Sequence, residues 1–129
     1  FNFAHFNLNY LSVSIGSQNF PSQPLKPNFA NGAYMQAYNC LMTGLGLNNS
    51  NKGIGIDRDQ YQKGCVLYAF DFTPDMAEGA HVDPVNYGNV RMEASFSAAL
   101  VNAVNVVLYA EYDNVMQIDR ARSVKPDFP

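Results

Sequence analysis

Asp75, Glu78, His81 and Asp83 carry the side chains from which a metal site could be built. Their spacing puts Asp75 and Glu78 on one helical face, with His81 and Asp83 just beyond. Hard cations take more oxygens from a defined loop, and zinc takes more His or Cys. The simpler reading is a solvated turn with helix-end charges, and no metal or cofactor is expected. Asp57 and Asp59, on either side of Arg58, have the composition of a glycosidase acid pair. That chemistry requires one carboxyl with a raised pKa, for which a glycine-rich loop offers no apolar pocket. Carboxylates in such a loop more commonly accept backbone N–H bonds. His5 stands alone among Phe and Asn, as a hydrogen-bonded structural histidine would, and no Ser or Cys lies in a nucleophile motif. No enzyme activity is expected.

Other groups have equally plain readings. Cys40 and Cys65 form neither a CxxC pair nor a metal spacing; each sits in an apolar stretch as a small buried thiol, and only their separation would decide on a disulfide. Arg120, Arg122 and Lys125 are too few, beside Asp127, for strong phosphate binding. Tyr68, Tyr87, Tyr109 and Tyr112 could stack on sugars in a lectin-like sandwich, or simply pack with their hydroxyls at the rim. Asn48-Asn49-Ser50 is a sequon in what reads as a polar loop.

The elements that would position these groups are mostly strands. The 129 residues are 47% hydrophobic but only 15% charged, which suits one domain whose surface partly meets other protein. A net charge of −3 gives no footprint for nucleic acid. No apolar run is long enough for a membrane span, and no secretory leader is recognised. Phe6, Leu8 and Tyr10 alternate with Asn, then the phase slips and Leu11, Val13 and Ile15 alternate with Ser. This predicts one strand with a bulge, or two short strands. Gly16-Ser17-Gln18 offers a turn, and Pro21, Pro24 and Pro27 predict extended coil without a ladder. Tyr34, Ala37, Tyr38, Leu41 and Met42 mark one face of a helix over 31–43, with Asn31 as its cap and Gly44 as its end. A helical turn is expected around Asp57 to Tyr61.

From Cys65 to Phe72 both faces are apolar, which predicts a central strand stopped at Pro74, with Thr73 capping a short helical turn. Val90, Met92, Ala94 and Phe96 read as the inward face of a half-buried strand. Ala103 to Tyr112 is again two-sided, Asp113-Asn114 permits a bend, and Val115 to Ile118 continues as strand. Residues 119–129 read as a surface tail. The expected shared core is Leu67, Phe70, Val106 and Leu108, capped by the helix face of Tyr34, Tyr38 and Leu41.

Five blocks carry a family resemblance: Phe1 to Asn9, Gly53 to Tyr61, Leu67 to Asp75, Gly88 to Met92 and Val104 to Asn114. In that order they resemble the C-terminal part of the major capsid proteins of Polinton/Maverick elements and the related adintoviruses. The resemblance implies a double jelly-roll protein that trimerises into pseudo-hexagonal capsomers, with this chain as most of the second jelly roll. Two departures stand out: Cys65 replaces an aromatic common there, and Tyr34 to Leu47 matches only in pattern.

The expectation is therefore an all-β domain with one short helix, an antiparallel β-sandwich of jelly-roll type over residues 1–118 that lacks its first strands. Those strands would come from a longer parent or from another chain, since open apolar strands need cover. The expected function is a structural capsid domain whose partners are copies of itself, most simply a homotrimer, and other capsid proteins. Its expected place is a virion shell assembled inside the host cell. The alternative is a ligand-binding β-sandwich, carbohydrate-binding or host-reused.

Overall fold

The phase slip in the first strand marks a real irregularity in the computed structural model, which describes residues 2–73, 88–112 and 116–126. Strand β1 (Leu8–Ile15) is continuous and pairs antiparallel with β3 (Val90–Phe96), its register shifting between Leu8 and Tyr10. Phe6, expected in the strand, instead occupies a left-handed turn with Asn7 just before it. The two-residue turn Gly16-Ser17 leads into β2 (Gln18–Leu25), which flanks β1 on its other side to give the order β2-β1-β3.

β2 corrects the expectation of coil through the prolines. Its register runs regularly from Gln18 opposite Ile15 to Phe20 opposite Val13, then shifts before Leu25 meets Leu11. Pro21 and Pro24 fall inside that irregular stretch of an edge strand, where a missing N–H breaks no inner ladder. Leu8, Leu11 and Leu25 are buried together, with Cys40, Tyr68, Phe70 and Phe96 packed against them.

Helix α1 (Met35–Gly44) forms where the 3.6-residue spacing places it, but both ends differ from expectation. Its N-cap is Tyr34, with no side-chain cap bond, while the Asn31 N–H is held by Asn28 Oδ1 in the preceding turn. The helix is closed by Gly46 at φ 65°, with Leu47 N–H reaching the Met42 carbonyl and Gly46 N–H the Thr43 carbonyl. This 6→1 and 5→2 closure needs a left-handed residue, which glycine adopts without a Cβ clash. Helix α2 (Arg58–Gln62) follows a capping box in which Asp57 Oδ1 accepts from Gln60 N–H and Gln60 Oε1 accepts from Asp57 N–H.

Two expected strands do not form ladders among the described residues. Cys65 makes only an isolated bridge to Phe3, and 66–72 runs on with no strand partner. Residues 103–112 likewise have no strand partner. Near the C-terminus β4 (Met116–Ile118) and β5 (Val124–Pro126) form an antiparallel hairpin. Asp119 organises its loop, since Oδ1 accepts from Ala121 and Ser123 N–H groups, both at 2.8 Å. The expected tail therefore contains a strand, and a boundary at 118 would divide the hairpin. The described fold is β-rich, with antiparallel sheets and two short helices.

Candidate functional site

The most ordered side-chain constellation is aromatic. Phe29, Tyr34, Ala37, Leu41 and Tyr61 are buried as one cluster, with Tyr38, Ile54, Ile56 and Leu67 against it. Stacking runs from His5 on Phe29 (4.3 Å between ring centres) to Tyr34 (5.4 Å) and on to Tyr61 (6.1 Å), with Tyr38 edge-on to Tyr61 at 5.4 Å. The Arg58 guanidinium lies 5.9 Å over the Tyr34 ring. Each hydroxyl of this set reaches a backbone carbonyl: Tyr34 donates to Arg58, Tyr38 to Ile56 at 2.9 Å and Tyr61 to Leu67 at 3.0 Å. These bonds tie α1 and α2 to the 54–58 loop and to the unladdered 66–72 segment.

Burial raises the Tyr61 hydroxyl far above the ordinary tyrosine range and pushes Tyr68 up to about 12. The Tyr68 hydroxyl is buried without a hydrogen-bond partner. Burial also raises the Cys40 thiol, whose Sγ donates to the Ala69 carbonyl at 3.4 Å. At the end of α1, Gly44 lies directly under Ala69, and a Cβ built on it would collide with the Ala69 carbonyl. Close backbone approach, not a turn, is what this glycine permits. His5 has its pKa lowered by partial burial, and its Nδ1 accepts from the Asn7 N–H at 2.8 Å. Both cysteines are free thiols.

Of the residues singled out by sequence, Tyr34, Tyr38 and Leu41 are brought together in this cluster. Leu67 joins them, half-buried, while Phe70 packs on the Leu8, Leu11 and Leu25 group. Val106 and Leu108 are not core residues of this chain: they are 65% and 67% exposed. Their two-sided apolar pattern measures a need for cover, and no described part of the chain supplies it. Val90 and Met92, expected to face inward, are also exposed. Sequence reasoning missed Phe29 and did not place Tyr61 in the core, although Asp57 and Gln60 stand at capping-box spacing and fix the turn that buries it.

Asp57 is engaged as a helix cap, which accounts for one carboxylate of the suspected acid pair. No group of three or more His, Cys, Asp or Glu among the described residues could hold a metal ion. Asp75, Glu78, His81, Asp83, Tyr87 and the helical turn expected from Pro74 lie outside the described residues, as do Asp113, Asn114 and Val115. Thr73, expected as the cap of that turn, donates its N–H and Oγ1 to Asp71 Oδ1. Among the described residues no helix is long and apolar enough to cross a membrane.

What remains is a surface. Val106, Val107, Leu108, Tyr109 and Tyr112 are exposed in one run without backbone partners among the described residues. Where it leaves β3 the chain borders an open, mainly apolar cavity of about 310 Å³ between Phe6-Asn7 and residues 98–104.

Comparison with known proteins places a Caenorhabditis elegans protein, described only as uncharacterized, at 25% identity over 126 residues. The match covers 95% of this chain and 30% of that protein, so the chain spans less than a third of the length of its relative. No protein-family model matches the chain. No solved structure matches it either.

Proposed function

We propose that this chain is a structural domain that self-associates into the capsomers of a viral or transposon-encoded shell, acting without a catalytic site or cofactor. The observation that carries this reading is the exposed run from Val106 to Tyr112, whose large apolar residues are 65–86% exposed and which has no strand partner among the described residues. Exposed apolar strands of this kind mark an interface. The five blocks resembling Polinton/Maverick and adintovirus capsid proteins name the assembly: a jelly-roll domain of a double jelly-roll protein, trimeric in the capsomer and resident in the virion. Sedimentation of the purified chain over micromolar concentrations, with electron microscopy of the heavier species, tests it. Trimers and shell fragments are expected; a stable monomer throughout would overturn it.

A second reading, a carbohydrate-binding module, draws on Tyr109 and Tyr112, whose rings are 86% and 73% exposed. Retention on a glycan column together with absence of assembly would replace the capsid reading with this one.

A further inference from the structure

We propose that the segment Ala103–Tyr112 is an exchanged strand, which leaves its own chain and pairs antiparallel with the open edge of β3 in a second copy. The proposal rests on the self-association reading and assigns the surfaces that carry it. Two incomplete features meet in it. β3 is hydrogen-bonded to β1 on one side and has no strand on the other among the described residues. The segment that follows it, after only residues 97–102, is mainly apolar, exposed, outside any helix or strand and without a backbone partner among the described residues. A short link after an edge strand would usually return the chain as a hairpin onto that same edge. Here the link instead carries the chain past the cavity beside Phe6 and Asn7.

One register fits the side chains of both strands. With Arg91 opposite Glu111, the pairs that follow are Val90 with Tyr112, Met92 with Ala110, Ala94 with Leu108 and Phe96 with Val106. Every apolar residue on the inner face of β3 then meets an apolar residue of the arm, and the charges directly opposite are unlike. Arg91 already holds Glu93 at 2.6 Å, so Glu111 would complete a three-member ion group at the rim. A shift by one residue would set the arm's apolar face against Arg91 and Glu93. The same pairing adds cover beside Val90 and Met92, which are exposed on a nominally inward face.

The area is sufficient. Val106, Val107, Leu108, Tyr109 and Tyr112 together expose on the order of 700 Å² of mainly apolar surface. Stable interfaces bury about 800 Å² per partner. Each copy gives one arm and receives one, so the exchange reaches that size with the β3 face included.

The test uses the whole chain with Cys40 and Cys65 replaced by Ala. One tagged copy carries Ala94→Cys and a differently tagged copy carries Leu108→Cys; the two are mixed and oxidised. A disulfide-linked species containing both tags is the expected result, with at least tenfold less from a control pair joining Leu108→Cys to Asn19→Cys on β2. Absence of the mixed species, or equal yield with the control, overturns the proposal. So does a double variant in one chain that closes only on itself. In parallel, Glu111→Arg is expected to weaken association in sedimentation at least tenfold, and Arg91→Glu added to it to restore most of that loss. Both variants alter exposed side chains, and thermal melting checks that the body is intact. If association persists unchanged in Glu111→Arg, the exchange fails while self-association stands. If mixed disulfides form but no trimer or shell does, the exchange stands and the capsid reading fails.

Discussion

Tyr61 stands in a polar stretch of the sequence, between Gln60 and Gln62, and Tyr109 in an apolar one, yet the first is 0% and the second 86% exposed. Around Tyr61 the chain supplies everything the ring needs: α1 beside it, Phe29 from the loop before α1, and the Leu67 carbonyl for its hydroxyl. Around Tyr109 it supplies nothing among the described residues. The difference is one of origin. The first region is completed by segments of the same chain, whereas the second is left uncovered by the described residues. The apolar pattern around Tyr109 thus marks residues that need cover and is silent about who provides it, while the polar stretch around Tyr61 hides a residue that is fully covered.

The comparison can be broken most directly by truncating both rings. Tyr61→Ala is expected to cost about 3–5 kcal/mol in chemical denaturation, from lost transfer energy and the cavity left behind. Tyr109→Ala, measured where the chain is dilute, is expected to stay within about 0.5 kcal/mol of the parent. Similar losses in the two variants would mean that residues 103–112 pack on the body. Gly44→Ala comes next: its methyl would push Ala69 off the end of α1, an overpacking expected to cost about 1–3 kcal/mol in thermal melts. Removing the α2 cap with Asp57→Ala is expected to cost about 1 kcal/mol, visible as a lower denaturation midpoint.

The smallest effect is expected at Tyr68, whose buried hydroxyl has no partner. Tyr68→Phe is expected to change stability by no more than about 1 kcal/mol, because it removes a desolvated hydroxyl whose interaction with the neighbouring Tyr61 hydroxyl falls short of a well-formed hydrogen bond. Its titration sharpens the point. A tyrosine pushed from 10.0 to about 12 on folding ionises more readily in the unfolded chain. The resulting stability is complete below pH about 10 and lost as pH rises towards about 12. Tyrosinate absorbance during alkaline unfolding is expected to show this loss, with Tyr61 adding to it in the same direction and Tyr68→Phe reducing it.

Helix α1 was legible because Tyr34, Ala37, Tyr38 and Leu41 repeat at helical spacing, and β1 because its alternation slips by one residue at a bulge. The ends of α1 were less so: Asn31 looks like a cap but belongs to the Asn28 turn, and Gly46 outcompetes Gly44 as the closing residue. β2 was hidden by Pro21 and Pro24, which an edge strand tolerates in an irregular stretch. The segment from Cys65 to Phe72 was read as a central strand because both faces are apolar. Its side chains are indeed half-buried, but Tyr61 and Cys40 reach the Leu67 and Ala69 carbonyls in place of a ladder. Val106 and Leu108 were misplaced for the opposite reason, since their pattern reports burial that this chain alone does not provide. The aromatic cluster was half legible: the helix face was visible, while Phe29 came from a proline-rich stretch without periodicity.

The prolines of β2 also bear on how many neighbours the sheet can accept. Pro21 and Pro24 leave the β2 strand two N–H donors short. A strand added to β2 would find fewer donors, which makes the β3 margin the better acceptor for the proposed exchange. Under the proposed exchange each subunit has one accepting margin and one strand to give, a valence of two without a branch point. Assemblies made this way are rings where the rotation between neighbours closes and unbranched threads where it does not.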